Sequence, residues 1–167
     1  MSIPFTIAAA VAIIATVLVI GGRNPVHALL YLIVSLLAVA VMMFLLGAAF
    51  AAALEVIIYA GAIMVLFLFV VMLLTLEPQG ASITELHRPR VWIGPGLLAG
   101  VLLVELVWII STGVPDPARS QAVEPKAVGI TLLGPYLLAV ELASMLVLAG
   151  LVGAWHLGRP DRPDQTP

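Results

Sequence analysis

Cysteine is absent from all 167 residues, which removes disulfides, thiolate nucleophiles and the usual iron–sulfur ligands together. Redox chemistry in this chain would therefore have no sulfur ligand to use. Charge is also scarce: 10% of residues are Asp, Glu, Lys or Arg, where a soluble domain carries roughly 25%. A basic stripe is missing, and the formal net charge is -2, so a nucleic-acid partner has no electrostatic support. No polar stretch is long enough for a separate soluble domain. No internal repeat is visible, which counts against a transporter built from inverted repeats.

What fills the chain is apolar. Hydrophobic residues make up 63%, against roughly 45 to 50% in soluble domains. They come in unbroken runs of the roughly 20 residues that cross a hydrocarbon core of about 30 Å. Lipid is thus the expected solvent, and an all-α integral membrane protein of five transmembrane helices is the expected fold. Span one runs from Ile3 to Ile20 and is read as retained, being longer than a signal-peptide core. Span two runs from Val26 to Leu46, with Asn24 as N-cap and Pro25 at the first helical position, where a missing N–H costs nothing. The small residues from Gly47 to Ala53 set it off from span three, which should end near Leu74. A polar loop from Glu77 to Arg90 follows. Span four covers Val91 to Ser111, then a Pro-bearing loop runs from Thr112 to Lys126 along the membrane surface. Gly134 and Pro135 break the last apolar region into an interfacial turn at Val128 to Leu133 and a fifth span from Pro135 to Trp155. Residues 1–157 are read as one transmembrane domain and 158–167 as a polar, Pro-rich, disordered cytoplasmic tail.

An odd number of spans puts the termini on opposite sides, so the loops fall into two sets. One set holds Arg23, Arg88, Arg90, Arg159 and Arg162, and the other holds Arg119 and Lys126. Five against two points to a cytoplasmic C-terminus and a periplasmic N-terminus. Trp92, Tyr136 and Trp155 then fall near span ends, where aromatic belts form.

An ionised side chain in hydrocarbon costs at least about 2.5 kcal/mol on insertion scales, so acids inside spans need a reason. Glu55, Glu105 and Glu141 are such acids. Counting about 1.5 Å per residue, each lies roughly 8 to 9 Å from the outer surface. Carboxyls in one layer suit a proton path, because each can exchange a proton with water or a neighbouring acid. The bland alternative is an acid that reaches the headgroups or is satisfied by one helix neighbour. Tyr59, four residues after Glu55, shares its helix face and is placed to bond the carboxyl or a water beside it. Gly61, flanked by Ala60 and Ala62, weakens the third helix near the midplane, where it could bulge or hinge. Composition alone equally fits small residues that let another helix pack closely. Ser144 is one turn from Glu141. Ser35 is expected to bond back to its own helix. Gly96 and Gly100 have the spacing of a close helix contact. His27 and His156 should sit at the cytoplasmic surface, and interfacial histidines need no special role.

Three stretches carry a family resemblance: Asn24-Pro25-Val26-His27-Ala28-Leu29-Leu30-Tyr31-Leu32, Leu54-Glu55-Val56-Ile57-Ile58-Tyr59-Ala60-Gly61-Ala62-Ile63-Met64-Val65-Leu66-Phe67, and Val128-Gly129-Ile130 through Gly134-Pro135-Tyr136 to Val140-Glu141-Leu142-Ala143-Ser144. The chain resembles the J subunit of the proton-translocating NADH:quinone oxidoreductase, respiratory complex I, whose mitochondrial counterpart is subunit 6. The resemblance covers all five spans in order.

It implies a core subunit of the membrane arm in the bacterial inner membrane, beside A-, K-, H- and N-type subunits. Such a chain is a non-redox part of the enzyme with no complete active site and no bound cofactor, while NADH, FMN, iron–sulfur clusters and quinone belong to other subunits. In this family the third helix carries a π-bulge around the Tyr-Ala-Gly motif, whose conversion to α-helix is linked to a hydrated path from the quinone region. The resemblance therefore favours a coupling role for Glu55, Tyr59, Glu141 and Ser144, and a hinge at Gly61, Ala60 and Ala62. Glu105 falls in none of the family-like runs. The competing expectation is a passive scaffold, or a subunit of a related cation/proton antiporter complex without redox chemistry.

Overall fold

The computed structural model describes residues 3–22, 24–74, 90–112 and 123–158. Its elements are α1 (Ile3–Gly21), α2 (Pro25–Leu45), α3 (Ala49–Leu54), a π-helical segment (Glu55–Ile63), α4 (Met64–Leu74), α5 (Arg90–Thr112), α6 (Pro125–Leu133) and α7 (Leu137–Leu157). Among the described residues five stretches are long and apolar enough to cross a membrane: Ile3–Gly21, Pro25–Leu45, Ala49–Leu73, Trp92–Thr112 and Leu137–Leu157. The protein is a multi-pass membrane protein whose described elements are all helical. The described residues fall into two compact units, one within Met1–Val123 and one within Glu124–Pro167, described in turn. Five of the seven cations used for orientation, Arg23, Arg88, Arg119, Arg159 and Arg162, lie outside the described residues, as do the Glu77–Pro89 loop and all of the polar tail after Gly158.

The first unit is held by small residues. Ala8, Val11 and Ala15 of α1 recur at three- and four-residue spacing, as do Val34, Ala38 and Val41 of α2, and these two stripes form one core with Leu102 and Ile109 of α5. Residues at that spacing share a helix face. In lipid no hydrophobic force drives helices together, so alanine matters for the close backbone approach it permits. The interface also carries a polar clasp: the Thr16 and Ser35 hydroxyls lie 2.9 Å apart, and Ser35 donates to the Ala12 carbonyl at 3.4 Å. The expectation that Ser35 bonds back to its own helix is corrected. Burial against α1 offers it a partner that lipid does not.

Local signals explain the boundaries. The Asn24 side chain accepts from the Val26 N–H at 3.0 Å, and Pro25 opens α2 as expected. Between α2 and α3 the turn is shorter than the small-residue run predicted, because Gly47 adopts φ 85 and helix resumes at Ala49. That left-handed backbone is one that glycine takes without a Cβ penalty. Val123 donates to the Gly47 carbonyl at 3.2 Å and fastens the end of the unit to this turn.

Another close approach joins α2 to α5. A side chain at Gly94 would collide with the Tyr31 phenol, while Gly96 and Gly100 face open space. The expected contact pair is therefore corrected within this chain. The backbone approach is made at Gly94, where an aromatic from α2 occupies the space a Cβ would need.

In the second unit, α6 replaces the expected surface loop and turn: Pro125 and Lys126 lie inside a helix that begins after Glu124. Pro125 supplies the helix-compatible φ at its first position. Gly134 to Tyr136 form a turn before α7, so the fifth span starts at Leu137, two residues later than expected. Pro135, with no N–H to give, remains in that turn.

Candidate functional site

The third span changes winding within the membrane. From Glu55 to Ile63 the backbone is π-helical over nine residues, and the Met64 N–H donates to the Tyr59 carbonyl, five residues back. A π-helix carries one residue more per bonded ring than the α-helix and is rare beyond a single turn. The segment packs on α2 through buried Ala60, while Ala52 in α3 and Met64 in α4 continue the buried side. Ile57, Tyr59, Gly61 and Ala62 are exposed. The inner side is small at Ala60 because α2 lies against it.

Gly61 stands where this winding is tight. A Cβ built there would lie 3.1 Å from the Val56 carbonyl oxygen, closer than ordinary van der Waals contact. That carbonyl is five residues back, the distance that π winding brings alongside. An apolar groove of about 520 Å³ between α2, α3 and α5 reaches Val56, giving the segment open space on that side.

Glu55 opens the π segment and is half-buried, while Tyr59 is exposed. Among the described residues no hydrogen bond joins them. At about 1.5 Å per residue, Glu55 lies roughly 9 Å along its span from Ala49, and Glu105 roughly 10 Å from Thr112. Glu105 is 6% exposed, and neither carboxyl oxygen has a hydrogen-bond partner among the described residues. Sequence reading placed it in a span but gave no sign of this isolation. In the second unit Glu141 is exposed, and the Ser144 hydroxyl donates to the Glu141 backbone carbonyl at 2.7 Å rather than to its carboxyl.

The family model described as NADH-ubiquinone/plastoquinone oxidoreductase chain 6 matches residues 15–157. The chain belongs to this family. It is 57% identical over 167 residues to NADH-quinone oxidoreductase subunit J of Pseudomonas aeruginosa, covering 96% of this chain and 98% of that one. The Escherichia coli K12 protein of the same name is also 57% identical, over 97% of this chain and 89% of its own. A more distant subunit J, from the Buchnera aphidicola of Acyrthosiphon pisum, is 42% identical over 99% and 98%.

The three stretches that resemble this family now have structural positions. The Asn24 to Leu32 run caps and opens α2 and supplies the Tyr31 that seats on Gly94. The Leu54 to Phe67 run contains the whole π segment. The Val128 to Ser144 run spans the break between α6 and α7. Among the described residues no group of His, Cys, Asp or Glu is arranged to hold a metal ion.

Proposed function

We propose that this chain is a membrane-arm subunit of a proton-translocating NADH:quinone oxidoreductase, and that its third span couples quinone chemistry to proton movement by exchanging π for α winding. The single observation that carries this reading is the nine-residue π segment, Glu55–Ile63, with Gly61 against the Val56 carbonyl. A π segment admits two hydrogen-bond registers that differ by one residue, and exchange between them rotates everything beyond. Gly61 is the hinge, with Ala60 and Ala62 small enough to follow the rotation. Glu55 and Tyr59 ride on the moving part.

In this reading Glu55, Tyr59, Glu141 and Ser144 support a hydrated proton path. Residues 1–157 act as one five-helix domain, with the N-terminus periplasmic, the C-terminus cytoplasmic and the whole in the bacterial inner membrane. The chain is a non-redox subunit: it contacts A-, K-, H- and N-type subunits, and those and other subunits supply NADH, FMN, iron–sulfur and quinone chemistry. The double variant Glu55→Gln, Glu141→Gln tests the path. Proton pumping by the reconstituted complex should fall while NADH oxidation by artificial acceptors is unchanged, because the redox centres are elsewhere. Full pumping by an assembled double variant would leave both acids with no more than a structural place.

A further inference from the structure

A groove of about 660 Å³ runs between α1 and α5, walled by Ile3, Ile7, Leu97, Val101, Val104 and Trp108, and among the described residues its one ionisable side chain is Glu105. The carboxyl is buried, and among the described residues both oxygens lack a partner. A carboxyl in an apolar setting is costly unless hydrogen-bonded, and intramembrane acids are therefore found paired. We infer that this groove seats a transmembrane helix of another subunit, which brings a hydrogen-bond-donating side chain to Glu105.

Depth disfavours the simplest other occupant. Glu105 lies about 10 Å from the Thr112 end of α5, and acyl chains beside it have no donor to offer. A neighbouring helix can supply one at that depth. Gly100 lines the same groove with open space where its side chain would stand, so a second backbone can come close. The carboxyl reaches an inserted donor by rotation about its staggered side-chain torsions. The inference rests on assembly with other subunits, as proposed above, and not on the coupling role given to the third span.

The test uses the assembled complex in native membranes with the photoreactive residue benzoylphenylalanine in place of exposed Val104 on the groove wall, leaving Glu105 intact. Mass spectrometry after illumination should find an adduct to a transmembrane peptide of another subunit, with Lys, Arg, His, Asn, Gln, Ser or Thr within one turn. Two substitutions then read the donor. Glu105→Leu should lower the yield of intact detergent-extracted complex about tenfold or more, since removing one partner strands the other in a buried site. Glu105→Gln keeps an acceptor and should retain most of the yield. Adducts to lipid alone, or a Leu variant that assembles as well as the unmodified chain, would overturn the assignment. If the unmodified chain purified with no subunit of such a complex, the proposed function itself would fall; lipid adducts within an intact complex would remove only the docked helix.

Discussion

Adding one methyl at Gly61 separates a moving helix from a merely crowded one. The preference of helix for Ala over Gly is set against the unfolded chain and is common to both windings, so it does not choose between registers. In the π register the new Cβ meets the Val56 carbonyl oxygen at 3.1 Å, and one added group without room costs about 1 kcal/mol, the low end for overpacking. That cost biases the exchange toward α. A bias of about 1 kcal/mol moves a two-state ratio about fivefold. Gly61→Val goes further in the π register, being stiff at χ1 and larger. The assay is quinone reductase turnover, coupled pumping and assembly, measured together for both variants. Turnover should drop severalfold in Gly61→Ala and more in Gly61→Val, with assembly intact. Normal turnover in Gly61→Ala, or activity lost in step with assembly, would refute the reasoning and reduce Gly61 to packing space.

Other outcomes follow from the same structure. Gly94→Ala should weaken the α2–α5 contact through collision with the Tyr31 phenol, lowering the detergent resistance of the subunit, and Tyr31→Phe should partly rescue it by removing the hydroxyl. Replacing Ser35 with Ala breaks the clasp to Thr16 and should cost about 0.6 kcal/mol, the average for such bonds between membrane helices, read as a small drop in unfolding midpoint. A tag at Gln165 should be reachable only from the cytoplasm, and a cysteine at Ser120 only from the periplasm. Opposite labelling at both sites would invert the orientation, and labelling from one side would refute an odd number of spans.

Much of the fold was legible because lipid imposes a simple rule: a backbone in hydrocarbon must bond to itself, so long apolar runs become helices. Asn24 and Pro25 marked the start of α2 for local reasons that burial did not override. What was not legible depended on partners. Nothing in the spacing of Gly96 and Gly100 says that the tight contact is made at Gly94, since that is decided by Tyr31 arriving from another helix. The Ser35 hydroxyl likewise found α1 rather than its own backbone. Small residues at 60–62 were compatible with either packing or bulging, and spacing alone does not reveal that the Val56 carbonyl stands against Gly61. Pro125 opens α6 at a position that suits its fixed φ, a local signal that a loop reading of Thr112 to Lys126 leaves unused. Isolation of Glu105 is a tertiary property, invisible until α1 lies against α5.

The central claim is that the third span exchanges registers during turnover, and one hydrogen bond reports it. Here the Met64 N–H donates to the Tyr59 carbonyl. Structures of the assembled complex trapped with and without NADH and quinone should divide into two classes, one with this bond and one in which the Met64 N–H has moved to the Ala60 carbonyl, four residues back. The same Tyr59 bond in every turnover state would contradict the account.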